Sequence, residues 1–462
     1  MPLLNLKNKK VLVMGLGLHG GGVGIAKFLA ENGAQVTVTD LKNKETLAPS
    51  LKKLSGLPIR FVLGEHRGQD FQSADLIIKN PGVPDNSPYL AIAQKNKIPV
   101  ETDIGLFWEL CPSKNIIGIT GAKGKSTTTT LIYQMIKTEN PEAQIAGNIR
   151  VSPFEILGKI GKNTPVVLEL SSWQLEGLAR HKISPPIACV TNILPDHLNR
   201  YQNMEAYAEA KKNIFKFQKS NDYVIMNYDN AILREPSFCL NLKRIYWFSR
   251  KEEIGQGAFL RKEHIIFKEK KLEHHIASLT DLKIPGAHNL ENVLAAVAVS
   301  CAYGIRRTNI RNVLREFHGL DSRLELIREL KGVKYYNDTT ATMPDAAIAA
   351  LQSFTAPIIL IAGGADKNLD FKNLAMVIAK KAKYLILLSG TATETLKKAV
   401  EKHALDLPIT IVHSMAEAVR IAQKQAREND IVLLSPACAS FGMFQNEFDR
   451  GEQFNQEVYK LK

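Results

Sequence analysis

The sequence is poor in cysteine and lacks a long apolar run. Its five cysteines form no C-x-x-C pair: Cys111, Cys189, Cys239, Cys301 and Cys438. Their odd number and spacing favour reduced, buried thiols in a reducing compartment. No run approaches the ~18 apolar residues that a membrane span needs, and no apolar segment of a signal peptide precedes the first predicted strand. We therefore predict a cytoplasmic protein with no membrane insertion.

The sequence also lacks a long basic tail. It has 60 Lys and Arg against 46 Asp and Glu, a formal net charge of +14 over 462 residues, and the basic residues are scattered. Such an excess permits nucleic acid, a membrane surface or an anionic small molecule as partner. The scatter favours anionic small ligands, and the length predicts about three domains of ~150 residues each.

A glycine-rich segment at 116–130 is the most informative part of the chain. An apolar run is followed by Gly121 and Gly124, by Lys125 and Ser126, and by a helical pattern. This order suits a polyphosphate, because glycines let backbone N–H groups approach the oxygens and a helix N-terminus adds positive charge. The lysine then neutralises phosphates, and the hydroxyl can bind Mg²⁺. The two glycines are closer together than in a Walker A loop, so an ordinary glycine-rich turn is the alternative.

The N-terminal region carries a second nucleotide pattern. A predicted strand at 10–14 leads into glycines at 15, 17 and 20, and a second strand at 35–39 ends at Asp40. This is the G-x-G-x-x-G fingerprint with an acidic residue about 20 positions further on. Asp40 would meet a ribose or a base; alternatively, it only caps a loop.

Charged residues stand at or near the ends of the predicted central strands. Glu169 lies in an apolar strand, where a buried acid is costly unless it is paired or bound to a metal. His197 follows the next strand, and ligands of open parallel sheets bind at that edge. Tyr207 and Lys211 are four residues apart in a predicted helix, so they share one face.

From Gly332 onward, strands and helices alternate strictly, which predicts a doubly wound α/β domain. Small, polar and charged residues gather at its strand ends, at 338–342, 363–367 and 435–440, and indicate an active face. Residues 236–283 instead suggest short, irregular β structure. The predicted fold is α/β with three domains: a Rossmann-like domain at 1–103, a central P-loop ATPase-like parallel-sheet domain at 104–319 and a Rossmann-like domain at 320–462.

Two nucleotide patterns without an acid/base pair for hydride transfer favour ATP-driven activation of a nucleotide-linked substrate. Seven motifs, in order along nearly the whole chain, resemble those of the Mur ligase family: 120–127, 147–149, 169–176, 192–197, 286–292, Arg323 and 338–342. Within that family, the run at 169–176 and the segment Ser-Pro-Ala-Cys-Ala-Ser at 435–440 are similar to the members that add D-glutamate.

The resemblance implies an ATP-dependent amide ligase of peptidoglycan precursor synthesis. The carboxylate of UDP-N-acetylmuramoyl-L-alanine would attack the γ-phosphate of ATP, and D-glutamate would attack the resulting acyl phosphate. In-line phosphoryl transfer needs charge neutralisation more than covalent help. The implied cofactors are ATP and two Mg²⁺ ions. The implied partners are small molecules and not nucleic acid, and a monomer is expected.

The resemblance also implies the catalytic and metal-binding residues. Lys125 would bridge the β- and γ-phosphates. Ser126 and Glu169 would hold the first Mg²⁺, and His197 would bind the second. Lys211 would be carbamylated, which turns an ammonium group into a carboxylate-like ligand; Lys212 is the alternative register.

The remaining implied contacts fall into three groups. ATP would be bound by Gly121, Ala122, Lys123, Gly124, Lys125, Ser126, Thr127, Asn289, Asn292, Arg323 and Asp338. The UDP substrate would be bound by Leu18, His19, Asp40, Lys42, Asn80, Gly82, Asn148 and His197. D-glutamate would be bound by Thr342, Lys367 and Ser440. Lys367 would pair with one carboxylate, and helix N-capping is the alternative role for the other two.

Two departures from the family pattern leave the amino acid open. Thr340 stands where many family members carry lysine, and Glu447 stands where the pattern places an aromatic residue. A different amino acid, or the other glutamate enantiomer, is therefore the alternative within the family. The alternatives from other classes are a dehydrogenase built on the glycines at 15–20 and a nucleic-acid binder that uses the +14 charge.

Overall fold

The computed structural model describes residues 6–18, 20–195, 200–239, 242, 244–366 and 369–462. They form two compact units. The first contains Met1–Leu279 and Glu291–Val313, and the second contains Thr280–Leu290 and Leu314–Lys462. Within the described ranges, no helix is both long and apolar enough to cross a membrane.

The N-terminal part of the first unit is a five-stranded sheet with the order β3-β2-β1-β4-β5. All of its strand pairs are parallel. Its elements are β1 (Lys10–Met14), α1 (Gly21–Glu31), β2 (Gln35–Asp40), α2 (Lys44–Lys52), β3 (Ile59–Leu63), α3 (Gly68–Ser73), β4 (Leu76–Lys79), α4 (Pro88–Lys95), β5 (Val100–Thr102) and α5 (Asp103–Leu110). Strands alternate with helices throughout, as predicted.

The rest of the first unit is built on a nine-stranded sheet with the order β14-β13-β12-β11-β10-β9-β6-β8-β7. Its strands are β6 (Ile116–Thr120), β7 (Gln144–Gly147), β8 (Val166–Glu169), β9 (Ile187–Val190), β10 (Tyr223–Asn227), β11 (Ile245–Ser249), β12 (Gly257–Arg261), β13 (His264–Glu269) and β14 (Leu272–Ser278). The pairs from β7 to β12 are parallel, and the last two are antiparallel. The predicted β structure at 236–283 is confirmed, but the expectation that it is irregular is wrong, because β11–β14 extend the sheet.

The helices between these strands are α6 (Lys125–Lys137), α7 (Pro153–Ile156), α8 (Ser172–Arg180), α9 (Met204–Lys212), α10 (Ala231–Arg234) and α11 (Pro236–Cys239). Two further helices follow β14: α12 (Ala287–Tyr303) and α13 (Arg307–Glu316). Because α6 begins directly after the glycine-rich segment, its N-terminus lies at the carboxyl edge of β6.

The second unit contains a six-stranded sheet with the order β15-β16-β20-β17-β18-β19. Only the pair of β15 with β16 is antiparallel. Its elements are β15 (Glu325–Leu330), β16 (Val333–Asn337), α14 (Pro344–Gln352), β17 (Ile358–Gly363), α15 (Lys372–Lys381), β18 (Ala382–Leu388), α16 (Thr393–Glu401), β19 (Ile409–Val412), α17 (Met415–Gln425), β20 (Ile431–Leu434) and α18 (Glu447–Lys460). The predicted α/β class is confirmed.

Both faces of this second sheet are covered by helices. Alternate residues of β17 enter different cores: Ile358 and Leu360 pack with residues of α14–α16, whereas Ile359 and Ile361 pack with residues of α17 and α18. A strand buried on both faces has no polar face, so it is a continuous apolar run in the sequence. Each such buried side chain stabilises the fold by about 1.5–3 kcal/mol.

Within the first unit, the two sheets share one apolar core. Helices α1 and α7 pack so closely that a Cβ at Gly24 would collide with the Ser152 side chain. Asp85, which follows β4, binds both Lys79 and Arg180 of α8. Burial lowers the pKa of Lys79, and Asp85 opposes that shift. The predicted domain boundaries after residues 103 and 319 stay predictions.

Candidate active site

The loop between β6 and α6 depends on two glycines. Gly121 has a φ of +152° and Gly124 a φ of +80°. A Cβ at Gly121 would collide with Thr191 Oγ1, and a Cβ at Gly124 would collide with Asn292 Oδ1. Other residues would therefore be strained at both positions. The loop therefore passes close to Thr191 and Asn292 before α6 begins. The first turn of a helix has backbone N–H groups without partners inside the helix.

Side chains that follow β9 hold this loop in place. Asn192 Oδ1 accepts hydrogen bonds from the backbone N–H groups of Ala122, at 3.2 Å, and Lys123, at 2.9 Å. The carbonyl of Lys123 accepts from Thr191 Oγ1 at 2.6 Å and from Asn192 Nδ2 at 3.1 Å. The sequence analysis included Asn192 in the motif at 192–197 but gave it no role. Its position directly after a predicted strand was the signal that could have indicated one.

Two lysine ammonium groups converge on the same loop carbonyl. Lys125 Nζ donates to the carbonyls of Gly121, at 3.0 Å, and Ala122, at 2.9 Å. Lys211 Nζ donates to the carbonyl of Gly121 at 2.8 Å and lies 4.8 Å from the centre of the Tyr207 ring. Lys211 is only 2% exposed. The ammonium group of Lys125 therefore adds positive charge to the loop, as phosphate binding requires.

The neighbouring lysine points elsewhere. Lys212 Nζ donates to Glu209 Oε1 at 3.1 Å and to the carbonyl of Ser237 at 3.0 Å. The structure thus brings Lys211, and not Lys212, to the glycine-rich loop. Whether Lys211 is carbamylated stays a prediction.

Glu169 is a buried acid with one unsatisfied oxygen. It ends β8 and is 1% exposed. Its Oε1 accepts from Asn148 Nδ2 at 2.9 Å, whereas Oε2 is buried and has no hydrogen-bond partner among the described residues. A buried carboxylate oxygen without a partner is costly. Oxygen ligands are those that Mg²⁺ prefers, so this oxygen fits a divalent cation.

The other predicted metal ligands include Ser126 and His197. Ser126 lies in the first turn of α6 and is half-buried. His197 lies outside the described residues. Within the described ranges, no group of three His, Cys, Asp or Glu side chains could hold a metal ion. A cation at Glu169 would need further ligands, such as hydroxyl groups, water or a bound phosphate.

The remaining predicted ATP residues are spread over both units. Asn292 lies beside Gly124 and accepts from Thr128 Oγ1 at 3.4 Å. Thr127 is buried in α6. Asn289 belongs to the second unit, where its Nδ2 donates to the carbonyl of Pro285 at 2.7 Å. Arg323, also in the second unit, is exposed.

The acidic residue of the N-terminal fingerprint holds its own glycine loop. Asp40 Oδ2 accepts from the backbone N–H groups of Leu16, at 2.9 Å, and Gly17, at 3.0 Å. Its Oδ1 accepts from the backbone N–H of Lys42 at 2.9 Å. This geometry matches the alternative in which Asp40 caps a loop. A contact with a ribose or base stays a prediction.

The other predicted UDP contacts surround the same loop. Asn80 Nδ2 donates to the carbonyl of Gly15 at 3.3 Å, and its Oδ1 accepts from Gly82 N at 3.0 Å. Leu18 is 46% exposed, and Lys42 is exposed. His19 lies outside the described residues.

One residue that the sequence reasoning missed is Arg200, which joins the loop after β4 to α8. Its guanidinium donates to the carbonyl of Pro81 and to Glu176 Oε2, both at 3.1 Å. It also lies 4.7 Å from the centre of the Trp173 ring. The only sequence signal was its place three residues after His197.

In the second unit, the ends of β16 and β20 meet around Asp338. Its Oδ1 accepts from Leu324 N at 3.2 Å, and its Oδ2 accepts from Ser435 Oγ at 2.8 Å. Burial raises the pKa of Asp338 to about 7, although both hydrogen bonds and the charge of Arg323 act against that shift. Asp338 therefore titrates near neutrality.

A fully buried guanidinium fixes the neighbouring loops. Arg450 donates to Thr339 Oγ1 at 3.0 Å, to the carbonyl of Thr339 at 2.8 Å and to that of Cys438 at 3.2 Å. Burial lowers the pKa of Arg450 to about 10. The group therefore stays charged at neutral pH and joins the segments at 338–342 and 435–440.

The predicted amino-acid contacts lie on these loops. Ser440 is 4% exposed, and Thr342 is half-buried. The N-capping alternative is wrong, because Met343 occupies the N-cap position of α14, without a side-chain hydrogen bond, and Asn446 caps α18. Lys367 lies outside the described residues. The roles of all three in substrate binding stay predictions.

Comparison with known protein families covers most of the chain. Residues 9–102 match the N-terminal domain of MurD-like Mur ligases, residues 119–300 match the Mur ligase middle domain, and residues 322–438 match the Mur ligase glutamate ligase domain. The chain belongs to the Mur ligase family.

Several full-length relatives of this Mur ligase carry the same name. It is 46% identical to the UDP-N-acetylmuramoylalanine–D-glutamate ligase of Roseiflexus sp. (strain RS-1), covering 98% of this chain and 99% of the relative. It is 38% identical to the ligase of that name from Acetivibrio thermocellus, covering 99% and 97%.

Solved structures share the fold at lower identity. UDP-N-acetylmuramate-alanine ligase MurC from Thermotoga maritima superposes with a TM-score of 0.63 at 21% identity, over 98% of this chain and all of that one. A pseudomurein peptide ligase type C from Methanothermus fervidus has a TM-score of 0.57 at 18% identity, with the same coverage.

The titration of Asp338 predicts a pH-dependent stability. Its pKa is 3.8 ordinarily and about 7 in the fold, so between those values the folded state keeps a proton that the unfolded state has released. The contribution of Asp338 to the free energy of unfolding should therefore fall as pH rises from about 4 to about 7 and then level off. Asp338→Asn has no titrating group and should remove this contribution; its Oδ1 can still accept from Leu324 N, and its Nδ2 would donate to Ser435 Oγ in place of accepting from it.

Urea unfolding of the wild type and the variant across that pH range measures the effect. Asp321→Asn, at an exposed neighbouring position, is the matched control and should keep the wild-type profile. The same pH dependence in Asp338→Asn as in the wild type would contradict the prediction.

Proposed function

We infer that this Mur ligase is an ATP-dependent ligase that adds D-glutamate to UDP-N-acetylmuramoyl-L-alanine in peptidoglycan precursor synthesis. The observation that carries this conclusion is the 46% identity to a ligase of that name over 98% of the chain. The positive glycine-rich loop beside a buried, half-satisfied carboxylate supports the ATP-dependent half of the reaction.

The reaction has two covalent steps. A carboxylate oxygen of the L-alanyl group attacks the γ-phosphorus, the bond to the bridging oxygen breaks, and ADP leaves. The amine nitrogen of D-glutamate then attacks the acyl carbon, phosphate leaves, and the nitrogen loses a proton. Phosphoryl transfer depends mainly on positioning and charge neutralisation. Lys125 and the N-terminus of α6 provide positive charge for the phosphates.

Two Mg²⁺ ions would supply further neutralisation of phosphate charge. Ser126 and Glu169 would hold the first, and His197 with carbamylated Lys211 would hold the second. Carbamylation adds CO₂ to the neutral amine and releases a proton, leaving an anionic group. The burial of Lys211 and its position against Gly121 support this role, because an ammonium group cannot ligate a cation.

The three domains would divide the substrates among them. Residues 1–103 would bind the UDP moiety through Leu18, His19, Asp40, Lys42, Asn80 and Gly82. Residues 104–319 would bind ATP at the glycine-rich loop, with Asn148 and His197 facing the muramoyl end. Residues 320–462 would bind D-glutamate through Thr342, Lys367 and Ser440 and would bring Arg323 and Asp338 to the nucleotide. The protein would act as a monomer in the cytoplasm.

Phosphate release tests the assignment. It should require UDP-N-acetylmuramoyl-L-alanine, ATP with Mg²⁺, and D-glutamate together, because the acyl phosphate forms on the first and is consumed by the last. A panel that includes L-glutamate and D-aspartate tests the amino acid. Phosphate release that does not depend on the UDP-sugar would rule out the function, and a preference for another amino acid would reassign the product.

Lys211→Ala tests the carbamylated lysine. It should be nearly inactive, and a small carboxylate such as acetate should restore part of the activity by replacing the missing anion. The matched control is Lys212→Ala, because that neighbouring side chain binds Glu209 and points away from the loop. Full activity in Lys211→Ala without acetate would contradict the role.

A further inference from the structure

Asn148 is predicted to contact the substrate, yet its side chain also binds the predicted metal ligand. Its Nδ2 donates to Glu169 Oε1 at 2.9 Å, and its backbone N–H donates to the carbonyl of Glu169 at 2.9 Å. An ionised carboxylate only accepts hydrogen bonds. The amide nitrogen of Asn148 must therefore face Glu169, and Asn148 is bound to that residue at two points.

The backbone around Asn148 makes this contact a fixed feature. Gly147 pairs with Glu169 where the parallel strands β7 and β8 end. Gly147 has a φ of +106°, and a Cβ there would collide with the carbonyl of Glu169. This close approach carries the next residue, Asn148, over the end of β8 and within reach of the buried carboxylate.

The hydrogen bond from Asn148 makes the two carboxylate oxygens of Glu169 different from each other. Oε1 is held by the amide, so rotation of the carboxylate would break a hydrogen bond inside a buried site, where an unmade bond is costly. Oε2 stays buried and has no hydrogen-bond partner among the described residues. The arrangement presents one oxygen to a cation and keeps the other away from it.

We propose that Asn148 is the positioning residue of the metal-binding carboxylate of Glu169. The proposal rests on the proposed function, which assigns the cation to Glu169. Nδ2 carries a second N–H, and Oδ1 is a further acceptor, so Asn148 can hold Glu169 and contact the substrate at once.

Isothermal titration calorimetry, which measures the affinity for ADP in the absence of the UDP substrate, tests the positioning role directly. ADP is titrated in the presence of Mn²⁺ and again in EDTA, and the ratio of the two affinities is the metal-dependent gain. In Asn148→Ala and in the similarly sized Asn148→Leu, the gain should fall about tenfold, because outer partners of metal ligands usually contribute that much to metal affinity. Metal-free ADP affinity should be unchanged.

Two further comparisons make the result specific. In a Glu169→Gln background, Asn148→Ala should cause no additional loss of the gain, since the group that it positions is gone. Asn96→Ala is the matched control, because Asn96 is exposed and its side-chain amide donates to the carbonyl of Ile92 within its own helix end. It should keep the wild-type gain.

Two results would overturn the proposal. If Asn148→Ala leaves the Mn²⁺-dependent gain at its wild-type value, Asn148 does not position Glu169. If it lowers metal-free ADP affinity as much as the affinity with Mn²⁺, its role is to support the fold of the site. A wild type without any Mn²⁺-dependent gain would instead refute the metal site of the proposed function, which separates the two failures.

Discussion

A carboxylate buried at the end of a β-strand needs partners for both of its oxygens, and in the described part of the chain Glu169 has a hydrogen-bond partner for only one. The nearby elements of the first unit are arranged around this constraint. Gly147 brings Asn148 close enough to hold Oε1. The positive loop follows β6, and β6 pairs directly with β8, which ends at Glu169. An unpaired buried acid costs folding free energy. Its presence here therefore points to a functional role.

Rigidity is the second property of the site. The glycine-rich loop is held by Asn192 through two of its backbone N–H groups, so it does not have to be ordered by the nucleotide. In the second unit, the buried guanidinium of Arg450 joins two strand-end loops in the same way. Binding residues held in advance lose less entropy when a ligand arrives, which suits a reaction that depends on positioning.

The sequence predicted the parallel sheets well, because strands buried on both faces are uninterrupted apolar runs. For 236–283 it predicted β structure but not a regular extension of the central sheet, since the antiparallel β14 has four charged or polar residues in seven and a mostly exposed start. It also gave no role to Asn192 or Arg200, because these side chains act on residues such as Lys123 and Pro81 that are 69 and 119 positions away. Asp40 shows a further limit: an acid after a strand has the same sequence pattern whether it binds a ribose or backbone N–H groups.

The central claim is that the unsatisfied oxygen of Glu169 is kept for a divalent cation. Anomalous X-ray diffraction from crystals grown with Mn²⁺ and ADP tests it most directly, because manganese is located independently of the refined model. We predict an anomalous peak about 2.0–2.2 Å from Glu169 Oε2, the distance range of a small divalent cation to a carboxylate oxygen, with Oε1 still bound to Asn148. A peak elsewhere, with Glu169 Oε2 hydrogen-bonded to protein groups, would contradict the account.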